Sequence, residues 1–186
     1  NPAHLVAAPH AHAFDFTTLQ PADLLAILNA LLHAPPTAKP IRPHSSRLAS
    51  GKRGLSLVAL KVLRDFYSAK DALDKVMGDV CKEADFEASV CALTRSTGLS
   101  LAESIAIAAE ERGEDAKALV GHADAFFSYS WTGTRLGDML EAIIRKLSEL
   151  EAADGRTRYI WVDMFAASQN LLAGVYRDPA VTKAAD

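Results

Sequence analysis

Two short stretches bring together side chains suited to holding a small polar ligand. One is Ser130-Trp131-Thr132-Gly133, and the other is Asp163 with Phe165. Hydroxyls, an aromatic face and a carboxylate can together hold a nucleotide ribose and base. Each stretch sits at the end of an apolar, aromatic-rich run, Ala123 to Ser130 in one case and Arg158 to Phe165 in the other. Both runs read as buried strands. In open parallel sheets, ligands bind beyond the carboxyl ends of the strands, where helix N-termini also point. The competing reading is purely structural: Trp131 covers the end of the sheet and Asp163 caps the next turn.

Elsewhere the reactive residue types are thinly spread. His4, His10 and His12 stand among alanines with Pro2 and Pro9, which reads as a solvated tail rather than a metal site. Cys81 and Cys91 are the only cysteines. Their number is too small for a disulfide framework, so two half-buried thiols in a reduced protein are expected. No cluster of His and Cys has metal-ligand spacing.

Several partner classes are excluded by composition. Across 186 residues the formal net charge is -3 and no long basic run occurs, which leaves no electrostatic case for a nucleic-acid partner. The longest apolar run, Leu24 to Leu32, is broken by Asn29 and falls short of the ~20 residues that span a bilayer. Asp15 and Asp23 precede it, whereas a signal peptide has a basic segment there, so a cytoplasmic location is expected.

The elements that must position the candidate residues follow from punctuation and periodicity. Seven of the eight prolines fall within the first 43 residues, and all ten glycines lie from Gly51 onward. Residues 1–54 therefore read as a Pro/His-rich tail, one short helix and a linker. The helix opens near Pro21, carries Leu24, Leu25, Leu28, Leu31 and Leu32, and stops at Pro35-Pro36. Residues 34–54 form the mildly basic linker. Residues 55–120 read as a helical region of three or four short helices. Leu55, Val58, Val62, Leu63 and Phe66 share one face, and Leu73, Val76, Met77 and Val80 a second. Ser68 with Asp71 and Ser100 with Glu103 are candidate capping boxes, and Gly113 is a helix stop. Residues 121–186 begin with the first strand. Thr134 is then the expected cap of a long helix whose stripe is Leu136, Met139, Leu140, Ile143, Ile144, Leu147 and Leu150. Asp154-Gly155 closes it before the second strand. Strand, helix and strand in this order form a βαβ unit with parallel strands.

At these residues the chain resembles a Toll/interleukin receptor (TIR) domain. Ala125-Phe126-Phe127-Ser128-Tyr129-Ser130-Trp131 is similar to the first-strand signature of that family, a hydrophobic strand ending in Ser-Tyr. Thr134 to Ala153 matches its first helix, and Tyr159-Ile160-Trp161-Val162-Asp163 its second strand. More closely it resembles TIR-like proteins of unicellular algae and protists. Those carry a Ser-x-Ser-Trp strand end, a Trp-x-Asp second strand and then Phe-x-x-x-Gln, which stands here as Phe165 to Gln169. An Asp-Val-Cys segment in their helical region is matched by Asp79-Val80-Cys81.

The resemblance implies a flavodoxin-like fold of five parallel strands, of which only the first strand-helix-strand half is represented. The expected fold class is thus α/β: a helical N-terminal region followed by a truncated, TIR-like parallel βαβ unit. It implies a signalling module that associates with other TIR-like domains or with itself, carried by a piece of a longer protein. Some family members cleave NAD at the nicotinamide bond, using a glutamate in a helix after the third strand. That glutamate has no matching position here, since Glu141, Glu149 and Glu151 lie in the first helix. Ser130-Trp131 also departs from the basic residue often found after Ser-Tyr in NAD-cleaving members. The expectation is therefore no catalytic residue, no metal and no resident cofactor. NAD enters only as the substrate of a complete domain, in the alternative reading of an NAD-consuming hydrolase whose catalytic half lies outside this chain.

Overall fold

The computed structural model describes residues 21–33, 52–82 and 85–170. The histidine-bearing segment, Pro35-Pro36, most of the expected linker and residues 175–186 lie outside this range. The architecture is mixed α/β, with seven α-helices and a four-stranded sheet among the described residues.

Helix α1 (Pro21–His33) buries Leu24, Ile27, Leu28 and Leu31 and leaves Leu25 outward. It packs on α2 (Leu57–Ser68), α4 (Val90–Leu93) and α5 (Leu101–Glu111). A helix this short is marginal alone in water, and the tertiary contacts supply what propensity does not.

The first correction concerns the expected linker and the helix after it. Arg53–Ser56 is a strand, β1, fully buried along its length. It runs directly into α2, whose N-cap is Ser56. The Ser56 hydroxyl accepts from Ala59 N at 3.2 Å and donates to the Ala118 carbonyl at 2.8 Å. Helix α2 buries Leu57, Leu60, Val62, Leu63, Phe66 and Tyr67, whereas Val58 faces outward. Asp71 does not cap a helix. It lies in a turn with φ 51, and α3 (Met77–Lys82) begins later than the apolar stripe suggested. The Ser100/Glu103 capping box is present at the start of α5, and Gly113 follows that helix in the left-handed region.

A 3-10 turn at Ala116–Ala118 leads into β2 (Val120–His122), a strand without an alternating signal. Strand β3 (Ala125–Phe127), helix α6 (Leu136–Asp154) and strand β4 (Tyr159–Val162) form the expected βαβ unit, with β3 and β4 parallel. In this pair Phe126 lies opposite Trp161 and Phe127 opposite Val162. Arg135, not Thr134, occupies the N-cap of α6, and Gly155 closes it at φ 67. The second apolar run ends earlier than the sequence suggests: Asp163–Ala166 is a helical turn, α7.

The sheet order is β2-β1-β4-β3. Strand β1 pairs antiparallel with β2 on one side and β4 on the other. The sheet is therefore mixed and mostly antiparallel, which corrects the expectation of a flavodoxin-like parallel sheet. It also removes the picture of a bare two-stranded half-sheet, because β1 and β2 cover the far side of β4. Two glycines make this possible. Tyr159 reaches across them to donate to the Lys117 carbonyl at 2.6 Å. A Cβ on Gly121 would lie 2.5 Å from the Tyr159 ring, and one on Gly54 would lie 2.9 Å from Ile160 N.

A single buried cluster runs from Leu24 in α1 to Phe165 in α7 and includes β4; of β3, expected as a buried strand, only Phe127 packs against it, and Ala125 and Phe126 are exposed. The core thus joins segments on both sides of residues 54 and 120.

Candidate functional site at the carboxyl end of the parallel strands

The chain leaves β3 through Ser128 to Trp131 and leaves β4 at Asp163. Tyr129, two residues beyond β3, donates its hydroxyl to Asp163 Oδ1 in a short hydrogen bond. The same oxygen accepts from Met164 N at 2.6 Å, within the single turn of α7. The Asp163 carbonyl accepts from Gln169 Nε2 at 2.9 Å, with Gln169 buried. Burial, followed by the hydrogen bond to Asp163, pushes the Tyr129 phenol well above its ordinary value. Tyr129 therefore stays a neutral donor. The expected cap is not formed: Asp163 is the first residue of α7, whose N-cap position, Val162, has no side-chain hydrogen bond.

Alternation along the extended segment after β3 sets Phe127, Tyr129 and Trp131 side by side. Ring centroids are 6.4 Å apart for Phe127 and Tyr129 and 6.0 Å for Tyr129 and Trp131. Trp131 is half-buried. Its carbonyl accepts from Gly78 N at 2.9 Å, and Lys82 Nζ sits 5.4 Å from its ring centroid. This contact ties the strand end to α3.

Ser130, Thr132 and Gly133 form an exposed turn. Ser130 Oγ accepts from Gly133 N at 3.2 Å, and Ser130 N donates to Thr134 Oγ1 at 3.2 Å. The turn is held by its own hydroxyls, and Thr134 is used here instead of at the helix cap. Phe165 is fully buried and belongs to the core. Of the sequence candidates, the structure therefore places Trp131 and Asp163 on either side of Tyr129. Ser130, Thr132 and Gly133 lie on the rim, and Phe165 is withdrawn from the surface.

The residues that sequence reasoning missed are Tyr129 as the partner of Asp163, and Gly78 and Lys82 against Trp131. The period-two aromatics Phe127, Tyr129 and Trp131 were the available signal for the first. The arrangement can present hydroxyls and an aromatic edge at a strand end. Among the described residues, no group of three His, Cys, Asp or Glu side chains is placed to hold a metal. Comparison with family models, with curated proteins and with solved structures finds no significant match to this chain.

A second surface lies on the outer side of the same strand pair. Strand β3 is a sheet edge, and Phe126 on it is 61% exposed. Its ring lies 4.9 Å from that of Trp161. A shallow depression of about 340 Å³ beside them is lined by Lys52, His122, Asp124, Phe126 and Trp161, among others. No described helix is long and apolar enough to cross a membrane.

Proposed function

We propose that this chain works by protein–protein association, as a TIR-like interaction module whose contact surface is the open edge of β3. The observation that carries this reading is Phe126, a large apolar side chain held outward on an edge strand with its ring beside that of Trp161. An edge strand presents unpaired N–H and C=O groups that template pairing with another chain. Strand addition of this kind takes its affinity from main-chain hydrogen bonds and its specificity from alternate side chains. In β3, Phe127 faces the core and Phe126 faces outward, so Phe126 is the residue available for specificity. The partner is a second copy of the chain or a like domain, in keeping with the resemblance of the Ala125–Trp131 segment.

Sedimentation velocity over a range of concentrations tests this. The wild-type chain is expected to self-associate, and Phe126→Lys, at an exposed position, is expected to remain a folded monomer. A wild-type chain that stays monomeric throughout would contradict the proposal.

A further inference from the structure

Hydrogen bonds elsewhere in the sheet fix the direction in which each residue of β3 turns its backbone. Ser56 N donates to the Leu119 carbonyl at 2.9 Å, and Ala123 N to the Lys52 carbonyl at 2.8 Å. The even-numbered residues of β1 therefore turn their polar backbone groups toward β2. Successive residues of a strand turn these groups to opposite sides. Leu55 thus faces β4, where Ile160 is its partner in register. With Ile160 turned to β1, Tyr159 and Trp161 are turned to β3. In keeping with this, the Tyr159 carbonyl accepts from Asp124 N at 2.8 Å. In a parallel ladder a residue bonds the two residues that flank its register partner. Trp161 is in register with Phe126, so its bonds go to Ala125 and Phe127. That leaves the N–H and C=O of Phe126 pointing out of the open edge, at the same residue whose side chain is exposed.

We propose that two copies of this chain pair antiparallel through β3, about a two-fold axis that passes at Phe126. The proposal rests on the association reading above and fixes the partner as a second copy. A residue that presents both groups to one side is its own complement. Facing itself across a two-fold axis, it closes two N–H···O=C bonds at once. The same axis sets Ala125 of each copy opposite Phe127 of the other and joins the two sheets into one. The rings of Phe126 and Trp161 lie together on one face, so the pairing lines up the rings of both copies across the seam. Aromatic pairs placed across neighbouring strands stabilise a sheet.

Charge is compatible with this partner. Sheet edges that resist pairing commonly carry charged side chains, whereas Ala125 to Ser130 contains none. The Asp124 carboxylate is matched by Arg156 at 2.9 Å and by Tyr159 N at 3.0 Å. Lys52 and His122 stand with Asp124 and Ala125 around the depression at the amino end of β3. Antiparallel pairing puts these cations at opposite ends of the seam, whereas a parallel arrangement would set them side by side.

The test uses the full wild-type chain, as an equal mixture of isotope-labelled and unlabelled copies, with sedimentation run on the same samples. Isotope-filtered NOE spectra then record only contacts between copies. Cross-peaks are expected between the α-protons of Ala125 and those of Phe127 in the second copy. These form the non-hydrogen-bonded pairs beside the axis, with Cα atoms about 4.5 Å apart. Ala125–Ala125 or Phe127–Phe127 cross-peaks would place the axis elsewhere and overturn this pairing, leaving association through β3 standing. A dimer whose contacts lie off β3, or a chain that stays monomeric at every concentration, would overturn the pairing and the association reading together.

Discussion

Two tyrosines illustrate how burial and bonding separate at the scale of single residues. Tyr67 is fully buried, and its hydroxyl has no hydrogen-bond partner among the described residues. Desolvation, with a smaller effect of Cys81, pushes its phenol far up from 10.0. A group whose folded value is raised contributes stability that is complete below the unfolded value and is lost as pH rises past it. Stability should therefore fall above pH 10, by about 1.4 kcal/mol per pH unit from Tyr67 alone. Tyr67→Phe should flatten that fall. It should also stabilise the neutral protein by about 1 kcal/mol, because an unsatisfied buried hydroxyl is removed. Tyr129→Phe should do the opposite at neutral pH, costing about 1.5 kcal/mol, because its hydroxyl bonds a carboxylate. Urea unfolding of the two variants at pH 7 and above pH 10 checks both signs.

At the scale of elements, two devices fasten the N-terminal strand. Glu103 closes the α5 capping box through Oε2, which accepts from Ser100 N at 3.0 Å. Its other oxygen meets Arg53 Nη1 of β1 at 3.0 Å, with both side chains nearly enclosed. Glu103→Gln keeps the shape but removes the enclosed carboxylate charge that faces Arg53, and a loss of about 3 kcal/mol is expected in urea unfolding. Gly54→Ala should cost about 2 kcal/mol, because its Cβ meets the backbone of β4, which cannot yield. A lowered urea midpoint with an unchanged m-value would be the expected signature.

These two positions also explain what could be read in advance. The buried stripe of α6 from Leu136 to Leu147, the Ser100/Glu103 box, Gly113 and Gly155 are local signals, and the structure contains each of them, whereas Leu150, expected on the same stripe, is exposed. The parallel β3–β4 pair was legible because two aromatic-rich runs, the second also carrying Ile160 and Val162, flank one clean helix. Strands β1 and β2 were not. Each is short and contains a glycine that belongs to the packing of Tyr159, and their pairing joins Arg53 to His122 across the chain. No periodicity in either segment reports such a contact. At the site, the strand ends with Trp131 and Asp163 were legible from topology. The Tyr129–Asp163 bond was not, because it links residues 34 positions apart in sequence.

For the molecule as a whole, the mixed sheet changes where an interaction surface can lie. Strands β1 and β2 close the far side of β4, and helix α1 joins the common core. Edge strand β3 is left carrying an exposed aromatic residue beside the strand end with Tyr129, Trp131 and Asp163. Association through that edge would protect its backbone without unfolding or rearranging the core. Hydrogen exchange at the amides of Ala125–Phe127, followed at low and high protein concentration, tests this most directly. Protection of β3 should grow with concentration in the wild type and stay low in Phe126→Lys. Exchange at β3 that is the same at all concentrations, in a chain whose core amides are protected, would contradict association through this edge.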